Sequence, residues 1–238
     1  MKCNVAWFAR LALSFFTSAA LTPAAFAAPT VYFARDDSTS GMTSFPNSLA
    51  KFNQFASQLN TFGVDTIETA SGVNPGLTFG GTGITGSAGG TVVQNAPTLQ
   101  IGNQALLELD AAGAGQVNTA FTFNRLITAF GAFVIQGGDG TNNNPITFRL
   151  ENTVANTFTD VVQQVGPGWG FDNVFFIGFG DTNPFNKVTL LEATDVADGM
   201  LYDNVVAGFV PEPSSIALLL IGGATALGLA GKRRTRKS

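Results

Sequence analysis

Of the 238 residues, twelve are basic and sixteen acidic, none is histidine, and the single cysteine is Cys3. Without imidazole, and with its one thiol at position 3, the chain lacks the parts for Cys–His and Ser–His–Asp catalysis, for haem ligation by histidine, for nearly all zinc sites and for an internal disulfide. Between Ala28 and Val210 five basic residues (Arg35, Lys51, Arg125, Arg149, Lys187) stand against fifteen acidic ones, a net charge of about −10 that repels nucleic acid and anionic lipid and could attract Ca²⁺.

The chain opens in the manner of an export signal. Lys2 and Arg10 precede an apolar run from Leu11 to Leu21, and Ala25-Phe26-Ala27 puts small residues at the two positions a signal peptidase reads, Ala25 and Ala27. Cleavage is expected after Ala27, which makes residues 1–27 a signal peptide. The apolar run is too short for a transmembrane anchor and is followed by the helix-breaking Pro23. Residues 28–209 then remain for an extracytoplasmic domain of about 180 residues, long enough to bury a substantial core.

That domain begins with a strand expected from Val31 to Arg35. Leu49, Phe52, Phe55 and Leu59 recur at helical spacing, with Asn47 or Ser48 as cap and Gly63 as stop, so one short helix is expected. Leu77 to Gln94 is rich in Gly and Thr and suits hairpins or a flexible edge. Strand signals are dense thereafter: Ala105 to Leu109, Ala120 to Phe123, Ile127 to Gln136, Ile146 to Asn152, Phe158 to Gln164, Val174 to Gly180, Lys187 to Leu191 and Leu201 to Phe209. Gly137 to Asn144 and Asp181-Thr182-Asn183-Pro184 carry turn chemistry. Phe130 to Leu150 and Phe175 to Leu191 therefore look like two successive hairpins. With no helical stretch between successive strands, antiparallel pairing follows, and the strand number predicts a mainly-β, jelly-roll-like sandwich with one short early helix.

The C-terminal residues 210–238 carry the most specific signal. Val210-Pro211-Glu212-Pro213 leads into an uncharged segment, 214–231, that would cover roughly 27 Å as a helix, enough for a bilayer core. The basic tail 232–238, with Arg233 and Arg234, would stay in the cytoplasm and leave the domain on the far side of the inner membrane. Pro-Glu-Pro, a short membrane helix and an Arg-rich end resemble the PEP-CTERM sorting signal of Gram-negative bacteria. The resemblance covers about 28 residues. It implies processing by an exosortase near Pro211-Glu212-Pro213, with release or transfer of the domain to the cell surface, usually in species that make exopolysaccharide.

The domain itself also resembles, loosely, the extracellular sandwich domains fused to such tails. The features concerned are Asp65-Thr66-Ile67-Glu68 after the early helix, Ala129-Phe130-Gly131-Ala132-Phe133 in the middle, and Asp198-Gly199 through Asp203-Asn204-Val205 at the end. That resemblance implies a fold and no activity.

Three chemistries are open to the domain. Asp65 and Glu68 flank the first core strand, and Asp198, Asp203 and Asn204 flank the last. If those strands lie together, the oxygens could converge on a structural Ca²⁺, the only cofactor expected; the alternative is that they make turns. The loop from Asp139 to Asn144 lacks the EF-hand pattern. Glycoside hydrolysis would need two carboxylates at a set distance, and Glu68, Glu108, Glu151 and Glu192 lie in no such motif, so no catalytic residue is assigned. Sugar binding would use an exposed aromatic platform, for which Trp169 in the loop Gly166-Pro167-Gly168-Trp169-Gly170 is the candidate. The sequence thus points to a non-enzymatic, exported surface or extracellular-matrix protein, or alternatively to a module that binds exopolysaccharide. Its partners are signal peptidase, exosortase and the inner membrane, and no nucleic acid.

Overall fold

The computed structural model describes residues 28–37, 44–94, 102–107, 119–135, 145–165, 173–191 and 200–211. In chain order these form β1 (Thr30–Asp37), α1 (Pro46–Ala56), β2 (Thr61–Asp65), β3 (Gly76–Phe79), β4 (Ile84–Ala88), β5 (Thr91–Gln94), β6 (Gln104–Leu107), β7 (Ala120–Ile135), β8 (Pro145–Asn152), β9 (Thr157–Gln164), β10 (Asn173–Leu191) and β11 (Leu201–Phe209). The fold is mainly β with one short helix, and the pairings among these strands are antiparallel.

The strands belong to one hydrogen-bonded sheet, yet they make two layers, because β7 and β10 serve both. Residues 173–180 of β10 lie between β1 and residues 129–135 of β7, whereas residues 187–191 lie between β8 and the start of β7. One layer therefore runs β1-β10-β7-β11, with β2 and β6-β5 beyond β11; the other runs β3-β4-β7-β10-β8-β9. Rings from the two layers meet in the space between them. Phe121 packs on Tyr202 at 5.6 Å and Phe148 on Phe179 at 5.0 Å.

The first layer is buried on both faces. Phe130, Ala132 and Val134 of β7 point to the inter-layer core, while Ala129, Phe133 and Ile135 form a second core with Phe55 of α1 and Phe176 of β10. That is why β7 reads as an unbroken apolar run from Ala129 to Ile135, and as an alternating one near Phe121 and Phe123, where its other side is solvated. Gly131 and Gly178 face each other across β7 and β10 under the helix. A Cβ on Gly131 would lie 2.8 Å from Phe176 Cζ, and one on Gly178 would lie 3.0 Å from the same ring. The paired glycines thus form the hollow that admits the rings of Phe55 and Phe176, which sit 5.5 Å apart.

Three local expectations are corrected. The helix starts at Pro46, so Asn47 and Ser48 lie inside its first turn and do not cap it; Asp36 of β1 does so instead. Its carboxylate accepts the N–H groups of Asn47 (3.0 Å) and Ser48 (2.7 Å) and the Ser48 hydroxyl (2.6 Å). Gly63 does not stop the helix, which ends at Ala56; it lies within β2, where a Cβ would meet the Phe79 backbone at 2.6 Å. The two expected hairpins are absent as well. Phe175 to Leu191 is one bent strand, and β8 pairs with β9 and β10 rather than with β7. The signal peptide and the 214–231 segment lie outside the described residues, among which no helix is long and apolar enough to cross a membrane.

Candidate functional site

The bend of β10 has a cause in its sequence. Pro184 lacks an N–H for the ladder, and the Asn183 N–H turns back to Asp181 Oδ1 at 2.8 Å. Pairing with β7 is irregular between Gly180 and Phe185. Beside this bend a cleft of about 530 Å³ opens toward the β8–β9 turn. Leu150, Ala155, Phe158, Pro184 and Phe185 supply its apolar lining, and Asn152, Thr157, Thr159, Asp181 and Asn183 its polar lining.

The rim is fixed by hydrogen bonds. Asn152 Nδ2 donates to the Pro184 carbonyl at 3.0 Å, while its Oδ1 accepts the N–H groups of Val154 and Ala155 at 3.1 and 2.9 Å. Asn186 Oδ1 accepts the Thr153 N–H at 2.8 Å. These bonds tie the β8–β9 turn to the bend of β10, so the mouth is set before any ligand arrives.

Among the described residues Asp181 is the single carboxylate of the lining, and no lysine or arginine is part of it. It is only 3% exposed. Burial pushes its carboxyl above the ordinary carboxylate value, and hydrogen bonds from the backbone of Asn183 and Thr182 and from the Asn183 side chain offset this only in part. The sequence offered Asp181 as a turn residue. Its burial could not be read there, because a turn residue is ordinarily solvated and this one lies within a strand that bends.

The solvent face of the same layer carries a different arrangement. Arg149 donates from Nε and Nη2 to the two oxygens of Asp160, both at 2.8 Å, and its guanidinium lies 4.1 Å from the centre of the exposed Phe158 ring. The Arg149 hydrogen bond holds the Asp160 carboxyl below its usual range. Lys187 pairs with Glu151 at 3.0 Å.

The residues expected to hold calcium are placed as follows. β2 and β11 are paired, with Asp65 opposite Val205, so the first and last core strands do lie together. Asp65, however, accepts the backbone N–H groups of Ile67 and Thr78, and Glu68 accepts that of Asn103 at 2.7 Å. Asp203 is buried and accepts the Asn204 N–H at 2.6 Å, at a register shift where Asn204 takes φ +44°. Each is engaged with its own stretch of backbone, and no group of three or more Asp, Glu, Cys or His suited to a metal occurs among the described residues. Asp198 and Trp169 lie outside the described residues, as do Ala25, Ala27, Glu212, Pro213, Arg233 and Arg234. Of the sorting motif, Val210 and Pro211 are described, and the Val210 N–H donates to Thr128 Oγ1 at 2.9 Å.

The PEP-CTERM protein-sorting motif matches residues 209–234. The chain carries that motif, as its sequence led us to expect. No curated protein matches the chain. Among solved structures it is similar to mutants of CBM29-2, a family 29 carbohydrate binding module. One is 17% identical, covering 64% of this chain and 99% of the module, with a TM-score of 0.37. Another, in complex with mannohexaose, is 16% identical over 63% of this chain and 93% of the module, with a TM-score of 0.36. Likeness at these scores transfers no site and no ligand to this chain.

Proposed function

We propose that the chain is an exported protein of the cell surface or extracellular matrix, delivered through a PEP-CTERM signal that an exosortase processes. One observation carries this reading: the sorting motif begins at Phe209, the last residue of β11. A cut near Pro211-Glu212-Pro213 then falls just past the folded layers and leaves every strand of them intact. On this reading signal peptidase acts after Ala27, and segment 214–231 holds the precursor in the inner membrane until exosortase acts. Intact-mass measurement of protein from envelope and medium, in strains with and without the exosortase, tests it. A species running from Ala28 to near Pro211 that vanishes without the exosortase is expected. Retention of Lys232 to Ser238 in both strains would exclude processing.

A second reading, favoured by the cleft beside Asp181, makes the domain a non-catalytic binder of exopolysaccharide. Mixed apolar and hydrogen-bonding walls of this size are the usual make-up of a small-molecule site. Among the described residues that lining holds one carboxylate, whereas glycoside hydrolysis uses a pair, and the activity proposed is binding. A structural Ca²⁺ held by Asp65, Glu68, Asp198, Asp203 and Asn204 stays a lesser proposal; a rise in melting temperature on adding CaCl₂ would support it.

A further inference from the structure

We infer that the cleft beside Asp181 takes a neutral sugar unit of a glycan, with an adjacent pair of hydroxyls donating to the Asp181 carboxylate. The inference rests on the carbohydrate-binding reading and assigns it a place and a ligand charge.

The reasoning begins with what the cleft lacks. A buried carboxylate is ordinarily neutralised by a cation, and among the described residues no basic side chain lines this cleft. Asp181 Oδ1 already accepts the Asn183 N–H at 2.8 Å, and the ligand that suits the acceptor sites left on the carboxylate brings hydrogen-bond donors. Adjacent hydroxyls of a pyranose supply two donors side by side, which a carboxylate can receive together. Thr157 and Thr159 add hydroxyls that both donate and accept, which suits the further hydroxyls of the same ring. Pro184, Phe185 and Leu150 offer apolar surface to its C–H faces.

Charge selects among glycans. A uronate, sulfate or phosphate would bring a second negative charge against Asp181 with no lysine or arginine in the described lining to offset it, within a domain already near −10; the guanidinium over the Phe158 ring, that of Arg149, is taken by Asp160. Acidic polysaccharides are disfavoured on both counts. A metal ion is the poorer occupant: Ca²⁺ wants six to eight oxygen ligands, and the described lining holds one carboxylate, with Asn152 Oδ1 already accepting two backbone N–H groups. A volume of about 530 Å³ also suits an organic ligand better than an ion. Finally, the folded state bears the cost of burying Asp181 with no cationic partner in the cleft, a pattern found where a site is kept for its ligand.

The experiment uses the protein recovered from the medium or envelope. It is applied to an array of gluco-, manno- and galacto-configured neutral oligosaccharides beside galacturonate and alginate oligomers. Hits are quantified by calorimetry for the parent, Asp181→Asn and Glu151→Gln, and each protein is also melted. At least one neutral oligosaccharide should bind. Asp181→Asn should weaken it roughly tenfold or more, as loss of hydrogen bonds to a charged acceptor does, while melting no lower than the parent. Glu151→Gln, outside the described lining and paired with Lys187, should bind within about twofold of the parent. Binding of the uronates in preference, or neutral binding unchanged by Asp181→Asn, overturns the cleft assignment and leaves carbohydrate binding standing elsewhere on the molecule. Binding of nothing on the array overturns both.

Discussion

Asp181 and Asp160 are two carboxylates of one layer whose environments push their protonation in opposite directions. For Asp181 the folded carboxyl is raised by burial. The native state therefore holds its proton more tightly than the unfolded chain. Stability contributed by this group is greatest in acid, falls as pH climbs from the unfolded value near 3.9 through the raised folded value, and stays lowered above it. Asp181→Asn removes the charge but keeps an oxygen to accept the Asn183 N–H. It should melt about 2–4 °C above the parent at pH 7–8, and the advantage should shrink toward zero as pH drops below 4; a melt that moves down at neutral pH would show that the carboxylate is net stabilising. Asp160 has the reverse sign. The Arg149 hydrogen bond lowers its folded carboxyl, so its stabilisation exists above the unfolded value and is lost as pH falls through the depressed folded one. With both side chains about a third exposed, that contribution is small. Asp160→Asn should shift a neutral-pH melt by no more than about 2 °C. Neither sign was legible in the sequence, where both residues are simply Asp in a strand or turn.

At the scale of elements, what the sequence makes visible is the side-chain pattern of each short segment. The alternation of Phe121 and Phe123 with Thr122 announces a strand, and so does the unbroken run from Ala129 to Ile135. What lies between them, Asn124-Arg125-Leu126, interrupts the apolar pattern and splits the expectation into two strands, although it is the place where one strand crosses from one layer to the other. Asp181 to Pro184 misleads in the same way in β10. Polarity marks where the chain leaves the core, and a strand that changes layers leaves the core without ending. The cap of α1 was hidden for another reason: its donor groups are met by Asp36, a residue on the neighbouring strand, and cap signals are sought beside the helix. Asp36→Ala should leave the N–H groups of Asn47 and Ser48 without their acceptor, that of Ser48 buried, at a cost of about 1–3 kcal/mol. Chemical denaturation should show the midpoint falling with an unchanged slope; no shift would mean that water or another side chain serves those groups. Gly178→Ala tests the hollow beneath the helix. Its methyl would press on Phe176 and Phe55 at 3.0–3.1 Å, so roughly 1–3 kcal/mol should be lost, whereas Gly80→Ala, with nothing within 4 Å, should stay within about 1 kcal/mol.

Across the whole molecule, β11 decides how the sorting signal and the fold can coexist. It lies inside its layer, paired with β7 on one side and with β2 and β6 on the other, and most of its residues are buried. Its end is secured as well: Asn60 donates to the Phe209 carbonyl at 2.9 Å, and the Val210 N–H reaches Thr128. The last secured residue is therefore the one before Pro211, and proline, with no N–H to give, is a natural place for the ladder to stop. On the proposed reading, a protease that acts on Pro-Glu-Pro cuts beyond the last paired residue, which would leave the domain folded before and after the cut. Proteins running from Ala28 to Val210 and from Ala28 to Pro213 should accordingly melt cooperatively and within about 2 °C of each other. One ending at Asn204 loses residues 205–209, which pair with β2, together with Val205, Val206 and Ala207 from the two cores. It should show no cooperative transition by circular dichroism. If the protein ending at Val210 also fails to melt cooperatively, the sorting segment is part of the folded unit, and release by cleavage at Pro-Glu-Pro would destroy the domain it is meant to deliver.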